Sequence, residues 1–291
     1  MSGLLQQLFN GLVSGSFYAL LALGLSVIFG MLGVVNFAHG AFYMLGAFGA
    51  FVLLDSAGLS WWLALLVVPI LLGVIGMVLE RLFVHRLMHL FPLYNFLLTF
   101  GIALILQDLI RMKYGVTSQP YARPSILDGS VDLGLFTYPK YQVFVFVFSI
   151  ALSGLVWLVL SRTRVGMIVR ASTERAELTQ SLGIDVRRWV TPVFGFGIAL
   201  AGLAGVLAAP MRAVNSSMGA DLIIVIFAVV VIGGLGSVLG SVAAGYIVGM
   251  VTAIGNFYVP ALSQSLVFVL MALVLLLRPA GLFGREEGVH A

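Results

Sequence analysis

Few side chains in this sequence could do chemistry, and their spacing restricts what that chemistry is. The four histidines stand at His39, His85, His89 and His290. Only His85 and His89, four apart, could share a helix face toward a metal ion. They flank Arg86, with Glu80 as the one nearby carboxylate, so a basic face at a membrane surface is the better reading and no metal is expected. Cysteine is absent, which removes disulfides, thiolate catalysis and cysteine-held metals. The lysines, Lys113 and Lys140, follow no Gly-rich turn, and no Gly-x-x-x-x-Gly-Lys-Ser/Thr phosphate loop occurs. ATP is therefore not bound in that manner, and no cofactor is expected. Without clustered carboxylates, histidines or thiols, a membrane-embedded enzyme is disfavoured.

What remains is polar groups stranded in apolar surroundings. Asn36-Phe37-Ala38-His39-Gly40 interrupts an uncharged run from Phe9 to Leu54. Polar groups there need partners away from lipid, because an unsatisfied one costs several kcal/mol. Asn36, His39 and Gly40 thus mark either a broken helix near residues 33–40 that lines a substrate path or gate, or hydrogen bonds that hold helices together. Ser14, Ser16 and Tyr18, and later Gly234, Gly236, Ser237, Gly240 and Ser241, raise the same alternatives. Ser16, Tyr18, Gly234, Gly236 and Ser237 are kept as path candidates, although small residues at such spacing commonly serve close packing. Gln107 and Asp108 lie near Arg111, where a local ion pair is expected. Gly-Met-Leu-Gly at 30–33 echoes Gly-Gly-Leu-Gly at 233–236, as corresponding breaks in two halves of a transporter would.

One segment is rich in charge. Residues 161–188 hold Arg162, Arg164, Arg170, Arg175, Arg187 and Arg188, with Glu174, Glu177 and Asp185. Ser172-Thr173-Glu174 suits a helix start, with the acid near the positive dipole end. Arg170 and Glu174 are spaced to pair, while Ala171, Leu178 and Leu182 would form an apolar face. Gly183 stands where that helix would end, and Asp185 where the next would be capped. The expectation is a short surface helix with one apolar side, able to enter a partner's groove.

The elements that must position these residues follow from composition. Hydrophobic residues make up 61% of the 291 positions and charged residues 9%, with a mean hydropathy of +1.14. Soluble domains carry about 25% charged residues, so the bulk of this chain must face lipid or other helices. Thirty-four glycines suit close helix contacts. Apolar segments of spanning length centre near residues 19, 45, 70, 103, 150, 199, 228, 247 and 269. The fold class is an all-α integral membrane protein of eight or nine spans, one domain over residues 1–291. The first basic residue is Arg81, so the first apolar segment lacks the positive flank of a signal peptide and is expected to stay as a span. Arg81 and Arg86, the 161–188 loop, and Arg278 with Arg285 are placed in the cytoplasm by the positive-inside rule. This puts the C-terminus inside and the N-terminus outside, with an irregular external segment from Tyr114 to Tyr138. The net charge of +4 is explained by orientation, not by nucleic acid.

Several blocks together resemble the smaller, LivH-type permease of branched-chain amino acid ABC importers. They are Gly15-Ser16-Phe17-Tyr18-Ala19-Leu20, Val34-Val35-Asn36-Phe37-Ala38-His39-Gly40, Met44-Leu45-Gly46-Ala47, Leu106-Gln107, Arg162-Thr163-Arg164-Val165-Gly166 and Leu277-Arg278-Pro279-Ala280-Gly281-Leu282-Phe283-Gly284. The resemblance runs collinearly over essentially the whole chain. It implies a bacterial inner-membrane permease working with a second permease, two ATP-binding subunits and a periplasmic substrate-binding protein. It also implies that Arg170, Glu174, Arg175, Glu177, Leu178, Leu182 and Gly183 belong to the ATPase-coupling element. ABC importers carry there a Glu-Ala-Ala start with Gly six positions after the Glu. Glu177-Leu178-Thr179 and Gly183 keep the Glu and Gly but not the alanines, and Val193-Phe194-Gly195-Phe196 replaces the usual Ile-x-Leu-Pro. The path is expected to hold few charges, with selectivity left largely to the binding protein. The rival class is a self-sufficient channel or ion-coupled carrier, which needs ionisable residues within its spans; Asp108 is the one candidate.

Overall fold

The computed structural model describes residues 2–284, apart from 89, 133, 135, 136 and 175. It is built almost entirely of helices: α1 (Ser2–Leu32), α2 (Ala38–Ala57), α3 (Trp61–Leu79), α4 (His85–Leu87), α5 (Pro92–Tyr114), α6 (Lys140–Arg162), α7 (Arg164–Glu174), α8 (Ala176–Ser181), α9 (Val186–Ala208), α10 (Met218–Gly233), α11 (Val238–Tyr258) and α12 (Ser265–Leu277). A helix lies at each of the nine predicted centres. Among the described residues, seven stretches are long and apolar enough to cross a membrane, while α10 and α12 are shorter apolar helices. At a rise of about 1.5 Å per residue, the 31 residues of α1 reach ~46 Å, beyond the ~30 Å hydrocarbon core.

Glycine decides which helices reach the centre. On α2, a Cβ at Gly46 would stand 2.1 Å from the Gly202 carbonyl oxygen of α9. On α9, a Cβ at Gly205 would stand 2.0 Å from the Tyr43 oxygen. Only bare backbone permits that approach. On the other flank, α1 runs antiparallel to α11, with Gly11 and Gly15 against Gly249, and Ala19 against Gly245. Consequently α1 and α9 are mostly buried, whereas α3, α5 and α6 turn apolar faces outward, as lipid-facing helices must.

The helix break expected near 33–40 is found at 33–37, with Ala38, His39 and Gly40 already in α2. Gly33 ends α1 with φ of +65°, a left-handed conformation that favours glycine. The chain then reverses, and Asn36 caps the turn by accepting from the Ala38 amide at 3.1 Å. A second break separates α10 from α11, where Gly234 and Gly236 have φ of +100° and +79°. Ser237 begins α11 by accepting from the Gly240 amide. The two breaks are neighbours at one end of the bundle, since a Cβ at Gly236 would lie 3.4 Å from the Gly30 Cα. The 30–33 and 233–236 echo thus corresponds to adjacent, similarly built turns.

The opposite end is also connected. Tyr138 donates to the Asn10 side-chain oxygen. The segment after α5 is more ordered than the irregular turn expected: Ser130–Asp132 (β1) and Thr137–Pro139 (β2) form an antiparallel pair. Backbone bonds of 2.8 and 3.1 Å between Gln119 and Val214 tie this segment to residues 209–217. Arg123 Nε donates to the Pro210 oxygen at 3.4 Å.

Between α3 and α4 the helix widens into a π turn, Glu80–Val84. The fully buried Glu80 carboxylate accepts from Thr191 Oγ1 at 2.5 Å and meets His85 Nδ1 at 3.1 Å. These partners compensate the removal of a carboxylate from water. His85 is thereby taken up by a protein contact, and among the described residues no group of metal-ligating side chains occurs. Asp108 and Arg111 stand 4.0 Å apart as an exposed local pair, as expected.

Candidate functional site

A cavity of about 330 Å³ opens between the spans, within the ~300–1,000 Å³ range typical of small-molecule sites. Its first wall comes from α1, where Ser14 and Tyr18 lie one turn apart on the same face. Tyr43 of α2 adds a second wall. From α11 come Thr252 and Asn256, again four apart, and Ser263 and Gln264 close the side next to α12. Met218, Leu222, Val225 and Val267 supply an apolar surface.

Two charges complete the lining, Arg212 and Asp221. Arg212 belongs to the segment that follows α9, whose first turn persists through the Met211 and Arg212 amides, both 2.9 Å from the Ala208 oxygen. Its guanidinium lies 6.0 Å from the centre of the Phe17 ring, within reach of a cation–π attraction. Asp221 lies in the first turn of α10, where a carboxylate suits the helix dipole. Asn215 accepts from the Ser217 amide at 3.0 Å, and the Ser217 hydroxyl donates to Asp221 at 3.1 Å. Each charge has its own tether, and no ion pair joins them among the described residues. A path poor in charge was expected, and the cavity lining carries two charged side chains, Arg212 and Asp221, which the sequence reading had not singled out.

The other predicted path residues do not line this cavity. Ser16, two residues from Tyr18 and so on another face, donates to the Leu12 oxygen at 3.0 Å and lies 3.4 Å from Tyr246 Oη. His39 Nε2 is 3.0 Å from the Leu21 carbonyl oxygen in mid-α1. Gly40 packs against Gly219, where a Cβ would fall 2.4 Å from the carbonyl oxygen. Asn36 and His39 are buried, with Asn36 Nδ2 and His39 Nδ1 lacking partners. Gly234 packs on the C-terminal segment, whose Leu282 and Phe283 amides donate to Ile232 and Gly233 at 2.8 and 3.1 Å. Of the predicted path residues, Tyr18 alone lines the cavity.

A second surface lies at the end that carries the helix breaks. The sequence suggested a helix beginning at Ser172-Thr173-Glu174; instead α7 begins at Arg164 and ends there. The physical reason is Thr163. Its extended backbone stops α6, and its hydroxyl accepts from the Gly166 amide at 3.2 Å, capping the new helix. Ser172 is buried, and Thr173 donates to the Val169 oxygen at 2.8 Å, both inside the helix. Arg170 turns back to the Ser161 oxygen at 3.1 Å. The side chains of Glu174, Arg175 and Glu177 lie outside the described residues, and with them the proposed Arg170–Glu174 pair.

Gly183 ends α8 as expected. Its φ is +85°, and its amide donates to the Gln180 oxygen at 2.9 Å. Asp185 precedes α9 but makes no side-chain cap, pairing instead with Arg188 at 2.8 Å. Leu178 and Leu182 are 52% and 82% exposed. A shallow groove of about 290 Å³ lies at the end of α8, lined by Gln180, Gly183, Ile184, Asp185 and Arg187. Thr173 faces the membrane part: its Cγ2 would be 3.0 Å from a Cβ at Gly30 and 3.6 Å from one at Gly236. The amphipathic α7 therefore ends against both helix breaks.

The family described as branched-chain amino acid transport system / permease component has a model that matches residues 7–276. The chain belongs to this family. It is 33% identical to the permease protein BraD of Pseudomonas aeruginosa, over 97% of this chain and 96% of that one. It is 30% identical to LivH of Escherichia coli K12, again over 97% and 96%. LivM of the same organism is 25% identical, over 91% of this chain and 67% of LivM. All three are described as permease proteins of high-affinity branched-chain amino acid transport systems, a transport role and not an enzymatic one. The chain is thus a multi-pass membrane permease component of such a system.

Proposed function

We propose that this chain carries branched-chain or related aliphatic amino acids across a bacterial inner membrane, driven by ATP hydrolysed in separate subunits. Its companions are a second homologous permease, two ATP-binding subunits and a periplasmic binding protein. The N-terminus is external and the C-terminus cytoplasmic, in keeping with the arginines of the 161–188 loop.

The observation that carries the mechanism is the position of Thr173. It lies in the last turn of α7, the helix that leads into α8. Its Cγ2 stands 3.0 and 3.6 Å from where a Cβ would fall at Gly30, in the last turn of α1, and at Gly236, in the turn joining α10 to α11. Helices α1, α2, α10 and α11 contribute most of the cavity wall. A partner ATPase gripping the exposed Leu178 and Leu182 would displace α7 and α8 as a body. That movement would press on both turns and shift α1 and α2 relative to α10 and α11, opening the cavity to alternate sides.

The test is Leu178→Glu with Leu182→Glu in the assembled importer. Both side chains are exposed, so folding should persist, while the ATP-binding subunits should no longer co-purify and uptake should stop. An intact complex with full uptake would refute coupling through this surface. Uptake by the purified chain alone in liposomes would favour the self-sufficient carrier instead.

A further inference from the structure

The cavity contains one cation and one anion, each held separately. Arg212 rests over Phe17, Asp221 accepts from Ser217, and the two make no ion pair with each other. Around them the lining is divided. Tyr18, Thr252, Asn256 and Gln264 offer neutral hydrogen-bonding groups, while Leu222, Val225 and Val267 are apolar. We propose that Arg212 and Asp221 are a zwitterion-binding subsite, with Arg212 taking the α-carboxylate and Asp221 the α-ammonium of an aliphatic amino acid. Leu222, Val225 and Val267 receive its side chain. The inference rests on the transport reading above and adds to it that the permease itself discriminates among solutes by charge.

The chemistry favours this occupant over others. Exposed guanidinium and carboxylate groups entering a confined, partly apolar space lose water and gain from an opposite charge. A zwitterion supplies both opposite charges at once and leaves the site neutral. A free carboxylic acid would leave Asp221 uncompensated, an amine would leave Arg212 so, and a neutral amide would compensate neither. The fork of Arg212 matches a carboxylate in two-point geometry.

The test uses the complete importer in proteoliposomes with radiolabelled L-leucine as the probe. Arg212→Gln and Asp221→Asn should each lower ATP-driven uptake by about ten- to a hundredfold, as the loss of one charged hydrogen bond predicts. Arg212→Lys and Asp221→Glu, which keep the charges, should recover part of the loss. Asp108→Asn, at an exposed pair outside the cavity, should transport as wild type. Co-purification of all subunits reports that each variant folds. If the neutral variants assemble and retain uptake within about twofold, the subsite is wrong. If Arg212→Gln with Asp221→Asn transports better than either alone, the two residues are a gate closing on itself, which also overturns the proposal. Should the wild-type complex show no ATP-driven uptake, the importer reading fails. Equilibrium binding of the same leucine to the solubilised complex then still decides the subsite, by its loss or retention in the two neutral variants.

Discussion

Substituting Gly30 by Ala adds one methyl group where α7 meets both helix breaks. The new Cβ would lie 3.0 Å from Thr173 Cγ2, 3.3 Å from its Oγ1 and 3.5 Å from the Gly236 Cα. Carbon atoms prefer about 3.5–4.0 Å, so Thr173 must retreat by at least ~0.5 Å. It cannot do so freely, because its hydroxyl is bonded to the Val169 oxygen at 2.8 Å. Overfilling a packed contact typically costs ~1–3 kcal/mol. Set against one of two transport conformations, that shifts their ratio about 5- to 150-fold. Alanine is also the better helix former by ~1 kcal/mol, so weakening of α1 cannot account for a loss. ATP-driven leucine uptake should accordingly fall at least about fivefold. Thr173→Ser removes Cγ2 and keeps the hydroxyl, so the double variant should recover much of the uptake. Wild-type transport by Gly30→Ala, or a double variant no better than the single, would refute mechanical contact between α7 and the breaks.

Two further expectations concern stability. Gly46→Ala places a Cβ 2.1 Å from the backbone oxygen of Gly202, where neither helix can yield; thermal unfolding in detergent should occur at clearly lower temperature, while Gly101→Ala, with nothing within 4 Å, should be neutral. Glu80→Ala leaves Thr191 and His85 without their buried partner, costing about 1–3 kcal/mol; Glu80→Gln keeps an acceptor and should unfold closer to wild type in the same measurement.

Much of the architecture was legible because lipid imposes it. A backbone in hydrocarbon must satisfy itself, so runs of about 20 apolar residues become helices wherever they occur, and each predicted centre carries one. The break at 33–37 was legible for the same reason, since Gly33 and Asn36 offer the positive φ and the cap that a reversal within an apolar run requires. Gly183 declared its helix end through a local preference of the backbone. Less clear was the start of α7. Ser172 suits a cap by its type, but Thr163 ends α6 with its extended backbone and caps the new helix through the Gly166 amide, which leaves Ser172 buried inside that helix.

The cavity lay beyond local reading. Ser14 and Tyr18 share a helix face that Ser16 cannot, which the spacing of four against two already implies. That this face meets Arg212 and Asp221, some 200 positions away, depends on how the helices pack. The polar stretch from Pro210 to Asp221, between two apolar segments, was the available signal, yet it reads equally as an ordinary external turn. By itself, then, the sequence determined the membrane class, the helices, their breaks and the charged loop, because hydrophobicity and backbone conformation act over a few residues. The tertiary structure alone decided which polar groups share a cavity and that Thr173 faces Gly30 and Gly236, because glycine-to-glycine contacts between distant segments set those distances.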